Sequence, residues 1–177
     1  MAAPSSSRIL VLVEPPTAYL RCIGRAAVER ARDFKQLVLQ LDAQGIRRFC
    51  LDLTECKLMD STFSGTLAAL ANDLGTPEGG PDSRFVLLNP NERVRDLLDN
   101  LGVLSLVTVL DSSAFPQPCP GAPSEELAAG PQDRAETTQC CLDAHQFLMK
   151  VDPRNVAKFQ DLTRALAAEQ AATAGQH

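Results

Sequence analysis

Aromatic residues are scarce in this sequence, which has no Trp, one Tyr and seven Phe among 177 residues. Since 45% of the residues are hydrophobic, the core must be built mainly from aliphatic side chains. Long apolar runs are also lacking, because the run from Ile9 to Val13 falls far short of the roughly 20 residues that a membrane-spanning helix needs. The first residues lack the charged and apolar regions of a secretory signal. We therefore expect a globular, cytoplasmic protein.

Positive charge is in deficit as well. The chain has 17 Lys and Arg residues against 22 Asp and Glu residues, which gives a formal net charge of −5. A surface of this sign repels the phosphates of nucleic acids and of anionic lipids. We expect neither a nucleic acid nor a membrane as the main partner.

Motifs for metals and cofactors are missing. The six cysteines form no CxxC pair and have no metal-like spacing with either histidine. Most of them lie within apolar patterns, where a reduced cysteine packs as a small hydrophobic residue. We interpret all six as structural: Cys22, Cys50, Cys56, Cys119, Cys140 and Cys141. No metal and no cofactor are expected.

An enzymatic function has little support in the sequence. Gly79-Gly80 lacks the Gly-Lys-Ser/Thr ending that a phosphate-binding loop needs. A nucleophile would need a base, and the two histidines are His145, which we expect to face solvent, and the terminal His177. The carboxylates near one strand end are interpreted as surface and helix-capping residues: Asp52, Glu55 and Asp60. We predict that the protein is not an enzyme.

Strand and helix patterns alternate along the first two thirds of the chain. Strands are predicted at residues 8–13, 18–23, 48–53, 84–88 and 103–110. Helical spacing of apolar residues follows the second, third and fourth strands, and a glycine follows each helix: Gly45, Gly75 and Gly102. Gly24 is expected to close the second strand, and Asn89 to cap the third helix ahead of Pro90. These crossovers predict an α/β fold with a mixed, largely parallel β-sheet covered by helices.

The composition changes after Asp111. Residues 112–135 contain five prolines and no apolar period, which predicts a Pro-rich linker or mobile loop. Two amphipathic helices occupy residues 136–170, and they restart at Asp152-Pro153, so we predict a C-terminal helical hairpin. Its apolar stripes could pack on each other, on the domain of residues 8–111 or on a partner.

Asp60-Ser61 lies where a predicted strand ends and a predicted helix begins. The start of a helix exposes unpaired N–H groups and carries a partial positive charge. Ser61 is well placed to cap this helix, and a phosphoryl group on its hydroxyl would be stabilised at the same place. A plain helix cap and a phosphorylation switch both fit this pattern.

The same segment resembles the signature of the STAS family, named after sulphate transporters and anti-sigma-factor antagonists. A strand ends in Asp52-Leu53, and Met59-Asp60-Ser61 with Gly65 opens the next helix. Further matching features are the strand that ends at Gly24, the segment 84–90, the helix 94–98 and Leu101-Gly102-Val103. The resemblance covers about residues 8–111 in the expected order.

The resemblance implies an anti-sigma-factor antagonist, a module that takes part in partner switching during transcription regulation. Its partner would be an anti-sigma factor or a serine-kinase-like protein. Ser61 matches the phosphorylated serine of the family, and Asp60 matches its acidic neighbour. The expected partner-binding residues are Gly24, Arg25, Asp60, Ser61, Thr62 and Gly65. The alternative is a constitutive STAS scaffold or docking protein with no phosphorylation switch.

A basic cluster precedes the signature. Arg25, Arg30 and Arg32 lie near the turn that should neighbour Asp60-Ser61. Arginine pairs well with phosphate, so the cluster could receive an acidic partner or a phosphoserine. A solvated helix face would show the same pattern.

Overall fold

The computed structural model describes residues 7–75 and 83–175. Gly79-Gly80 and His177 lie outside the described residues. The strands are β1 (Arg8–Glu14), β2 (Thr17–Ala26), β3 (Arg48–Asp52), β4 (Cys56–Met59), β5 (Phe85–Leu88), β6 (Thr108–Leu110) and β7 (Glu125–Glu126). The helices are α1 (Val28–Ala43), α2 (Ser61–Asp73), α3 (Glu92–Asn100), α4 (Arg134–Val151) and α5 (Arg154–Ala174).

The strands form one mixed sheet in the order β6-β5-β3-β2-β1-β7, with β4 paired to β2 off this path. The four strands from β2 to β6 along the path are parallel, because helices cross over between them. The hairpin partner β1 runs antiparallel to β2, and β7 runs antiparallel to β1. The predicted α/β fold with a mixed, largely parallel sheet is confirmed.

The core lies between the sheet and the helices α1 and α2. Phe34 of α1 stacks on Phe63 of α2 with ring centroids 4.8 Å apart, and Phe49 stacks on Phe85 across the central strands. Aliphatic side chains fill most of the remaining core, as the shortage of aromatic residues predicts. The other face of the central strands is partly covered by Phe115, which meets Tyr19 edge to face.

The second strand is longer than predicted. It does not end at Gly24 but continues to Ala26, with a shift of register after Gly24, whose φ is 80°. Its first half pairs with β3 and its end pairs with β4, the short strand over residues 56–59 that the sequence patterns did not reveal. Gly24 is needed because the chain changes neighbours there in a left-handed conformation.

Two predicted boundaries near α3 are wrong. Asn91, not Asn89, caps the helix, since its side chain accepts a hydrogen bond from the Val94 N–H at 2.9 Å. Asn89 instead has a φ of 48° and accepts a hydrogen bond from the Ser112 N–H. The strand predicted at residues 103–110 is confined to 108–110, because 103–105 forms a 3₁₀ turn directly after Gly102.

The Pro-rich segment after β6 lies against the sheet over part of its length. Its Phe115 is buried, and its residues Glu125–Glu126 add β7 to the edge of the sheet. A buried ion pair between Arg30 and Asp33 holds the residues after β7, because Arg30 donates to the Leu127 carbonyl and Asp33 accepts from the Gly130 N–H. Arg30 is therefore not on a solvated helix face. The division into residues 8–111, 112–135 and 136–170 stays a prediction.

The C-terminal helical hairpin is present. Thr163 of α5 lies beside Met149 of α4, and Arg134 at the start of α4 pairs with Glu169 near the end of α5, so the helices are antiparallel. One stripe of α4 packs against α1 and α2, and its Leu148 is wholly buried in the core cluster. The two helices therefore pack on each other, and α4 also packs on the domain.

Replacing Leu148 tests how tightly α4 is docked. Leu148→Ala should lower the free energy of unfolding by about 2–5 kcal/mol, because it removes wholly buried atoms and leaves a cavity. Urea denaturation followed by circular dichroism measures the change. Leu162→Ala is the matched control on α5, since Leu162 is 41% exposed and should change stability by no more than about 0.5 kcal/mol. Equal losses in the two variants would contradict the docking of α4 on the core.

Candidate functional site

The carboxylate of Asp60 joins the starts of two helices. Its Oδ1 accepts a hydrogen bond from the Phe63 N–H in α2, and its Oδ2 accepts one from the Val28 N–H in α1, both at 2.8 Å. The backbone N–H of Asp60 donates to the carbonyl of Ala26, at the end of β2. Asp60 is therefore the N-cap, as its interpretation as a capping residue expected. The prediction that Ser61 caps the helix is wrong, because Ser61 is already the first helical residue.

The hydroxyl of Ser61 is hydrogen-bonded to helix α4. Its Oγ lies 2.8 Å from Nε2 of His145 in α4, and Nδ1 of His145 lies 2.7 Å from the carbonyl oxygen of Cys141. Because a carbonyl can only accept, Nδ1 donates to Cys141, and in the neutral imidazole Nε2 therefore accepts the hydrogen bond from Ser61. Phe159 packs edge to face on the imidazole, with ring centroids 4.7 Å apart.

His145 is only 3% exposed, so the prediction that it faces solvent is wrong. It lies one helical turn after Cys141, and this side of α4 faces α2 rather than solvent. The helical stripe of the tail contained this signal, but the sequence did not show which surface the stripe covers.

The other two predicted residues of α2 lie under the same helix. The hydroxyl of Thr62 donates to Sγ of Cys141 at 3.6 Å. Gly65 faces the backbone of Ala144, and a Cβ atom at position 65 would lie 2.5 Å from the carbonyl oxygen of Ala144. Glycine is therefore required here by the close approach of two helices. Ser61, Thr62 and Gly65 are brought together, and α4 covers all three.

The end of β2 and the start of α2 meet at Asp60, and we call residues 24–26 and 60–65 the Asp60 corner. Gly24 and Arg25 lie on its β2 side. They pair with Cys56 and Leu58 of β4, and the side chain of Arg25 is exposed. Arg32, by contrast, lies 2.5 Å from Glu136 at the start of α4. The predicted basic cluster is therefore divided: Arg25 stays on the exposed corner, while Arg30 and Arg32 hold the C-terminal segments to α1.

The fold has counterparts among known proteins. The sequence profile of the STAS domain matches residues 8–115, which is well over half of the chain.

The chain belongs to the STAS-domain family.

A comparison with curated proteins gives no match.

Solved structures share the fold of this STAS domain at low sequence identity. The NMR structure of TM1081, a protein of Thermotoga maritima, has 20% identity and a TM-score of 0.50, over 58% of this chain and 80% of that one. The anti-sigma factor antagonist SpoIIAA of Bacillus, in its unphosphorylated form, has 17% identity and a TM-score of 0.50, over 60% of this chain and 90% of its own. The α4–α5 hairpin lies beyond the residues that the STAS profile matches.

The chemistry available at the corner is that of one hydroxyl. Ser61 is partly exposed, whereas the imidazole that accepts from it is almost fully buried, so Ser61 is the reachable member of the pair. Burial raises the pKa of the Cys140 and Cys141 thiols, which keeps both protonated at neutral pH. Over residues 7–75 and 83–175 no group of three or more His, Cys, Asp or Glu side chains is arranged to hold a metal ion. Within the same residues, every helix is too short or too polar to cross a bilayer.

Replacing Asp60 tests its role as a shared cap. Asp60→Ala should lower the free energy of unfolding by about 1–2 kcal/mol, because the first turn of α2 loses its cap and the Val28 N–H loses its acceptor. Thermal and urea denaturation measure the loss. Asp73→Ala, an exposed carboxylate at the other end of α2, is the control and should change stability by no more than about 0.5 kcal/mol. A loss at Asp60 no larger than at Asp73 would contradict the double cap.

Proposed function

We propose that this STAS protein is an interaction module of the anti-sigma-factor antagonist type, and that phosphorylation of Ser61 switches its partner binding. The observation that carries the proposal is the position of the Ser61 hydroxyl. Ser61 is the first residue of α2 and is partly exposed, and its hydroxyl does not cap the helix because Asp60 does. A hydroxyl in this place can gain a phosphoryl group without removing the cap that starts the helix.

The electrostatics of the corner support a switch at this hydroxyl. A phosphoryl group adds a charge of roughly −1.5 to −2 at neutral pH and three strong acceptor oxygens. The first turn of α2 favours negative charge through its unpaired N–H groups. For a partner the effect is opposite, since the new charge would stand beside the carboxylate of Asp60 in an interface shaped for a neutral hydroxyl.

The proposed partner surface combines the two sides of the corner. The end of β2 and the start of α2 contribute Gly24, Arg25, Asp60, Ser61, Thr62 and Gly65. The proposed partner is an anti-sigma factor or a serine-kinase-like protein. SpoIIAA, which shares the fold, is described as an anti-sigma factor antagonist and has been solved in unphosphorylated and phosphorylated forms. The formal charge of −5 argues against nucleic acid as the partner.

A constitutive STAS scaffold or docking protein is the second candidate. The observation that favours it is the hydrogen bond from Ser61 to the buried His145. A serine with a purely structural role, holding α4 to α2, would make the same bond. Phosphorylation and binding measurements separate the two functions.

Phosphorylation of Ser61 can be measured directly. After incubation of the full chain with ATP and extract of its host cells, mass spectrometry should find stoichiometric phosphate on Ser61. Ser61→Ala should carry no phosphate, whereas phosphate on this variant would show that a neighbouring hydroxyl, such as that of Thr62, is the acceptor. Absence of phosphate from the wild-type chain under conditions in which the host's serine kinases are active favours the scaffold.

Partner affinity decides whether the site is a switch. Ser61→Ala should fold, at a cost of about 1–3 kcal/mol for leaving the His145 nitrogen unpaired, and should retain partner binding. Ser61→Asp should also fold, because a carboxylate suits the start of a helix, but it should weaken binding at least about tenfold by repulsion and desolvation. Titration calorimetry with the partner measures all three forms. Equal affinities would contradict a switch at Ser61.

A further inference from the structure

Specific contacts hold α4 over the proposed partner surface. Ser61 donates to His145, and Thr62 donates to Cys141, so both hydroxyls at the start of α2 are engaged by one face of α4. Leu148, further along the same helix, is wholly buried in the core. The hairpin is therefore a fixed part of this state of the protein.

The contact at Gly65 leaves no room for another molecule. A Cβ atom there would lie 2.5 Å from the carbonyl oxygen of Ala144 and 2.9 Å from its Cβ, both closer than real Cβ contacts. The two helix backbones thus touch directly. A partner cannot reach Thr62 or Gly65 while α4 stays in place.

A phosphoryl group on Ser61 also removes one of these contacts. The hydroxyl oxygen lies 2.8 Å from Nε2 of His145, and phosphorylation replaces the proton that the hydroxyl donates, so the bond to the imidazole is lost and a bulky dianion takes its place beside the ring. The imidazole has little freedom to turn aside, because Cys141 accepts from its Nδ1 and Phe159 packs on its ring. Moving His145 therefore means moving the helix that carries it.

The strap and the start of the hairpin are held to the domain by separate contacts. The strap (residues 125–130) stays with the domain through β7 and through the buried pair of Arg30 and Asp33. Beyond it, the start of α4 is tied to α1 by the Arg32–Glu136 ion pair, which is partly exposed and thus weak.

We propose that the α4–α5 hairpin is an intramolecular cover of the partner surface, and that its docking excludes both a phosphoryl group on Ser61 and a bound partner. The inference rests on the proposed function of Ser61 as the switch. It adds that the switch acts first within the chain: the phosphoryl group displaces His145 and with it the hairpin. A partner of the unphosphorylated form must displace the same helix.

Hydrogen exchange of the full chain with phosphoserine installed at position 61 tests the inference without any partner. Amides of α4 and α5 should exchange at least about tenfold faster than in the unmodified chain, while those of β2, β3 and β5 keep their protection. Phosphoserine at position 113, an exposed residue just after β6, is the control and should leave the hairpin protected. Unchanged protection of α4 in the chain with phosphoserine at 61 would overturn the proposal, and so would loss of protection throughout the sheet.

A matched pair of variants tests the cover from its other side. Ala144→Leu places bulk at the closest approach of α4 to Gly65 and leaves the partner surface intact, so it should release the hairpin without phosphorylation. Gln146→Leu puts the same side chain on an exposed position of α4 and should not release it. Equal exchange of the hairpin in both variants would overturn the proposal.

The outcomes separate the inference from the proposed function. If phosphoserine releases the hairpin but the Ser61 variants bind the partner equally well, the proposal of a cover stands and the proposal of a binding switch fails. A hairpin that stays protected, together with weakened binding of Ser61→Asp, would retain the switch and remove the cover.

Discussion

The arrangement of the site depends on the hydrogen bonds that the carboxylate of Asp60 accepts. Its two oxygens accept from the starts of α1 and α2, and its own N–H is bonded to the end of β2. One residue thereby satisfies N–H groups at the starts of two helices and ties both starts to the end of β2. The same two helices are joined in the core by the stacking of Phe34 on Phe63.

Two neighbouring residues, Asp60 and Ser61, therefore have different roles at the start of α2. Because Asp60 serves as the cap, the hydroxyl of Ser61 is available to bond elsewhere, and in this structure it bonds to His145. Small side chains at the start of α2 let α4 approach until the backbones touch at Gly65. Ser61, Thr62 and Gly65 of the proposed partner surface are therefore the same residues that the chain's own helix α4 covers.

The segments beyond the STAS core are integrated into the fold on both faces of the sheet. On one face, residues 117–122 border a cavity of about 310 Å³ over the outer sides of β1 and β2, with the Arg21–Asp52 ion pair at its wall. On the other face, the hairpin adds a layer over α1 and α2. The buried Arg30–Asp33 pair of α1 bonds the backbone of the strap, which lies between these two segments along the chain.

The sequence by itself determined the fold class, the order of the elements through α3, the presence of a helical hairpin and the position of Asp60-Ser61 at a helix start. These features arise from local periods, caps and glycines such as Gly45 and Gly102, which act within a few residues of themselves. Short β4 and β7 were missed because segments of four and two residues carry too little period to detect. Only the tertiary structure decided that Asp60 rather than Ser61 caps α2, that Arg30 is buried and that His145 of α4 lies against Ser61. Ser61 and His145 are 84 residues apart, and a contact at that separation is set by how helices pack, which no local pattern in the chain encodes.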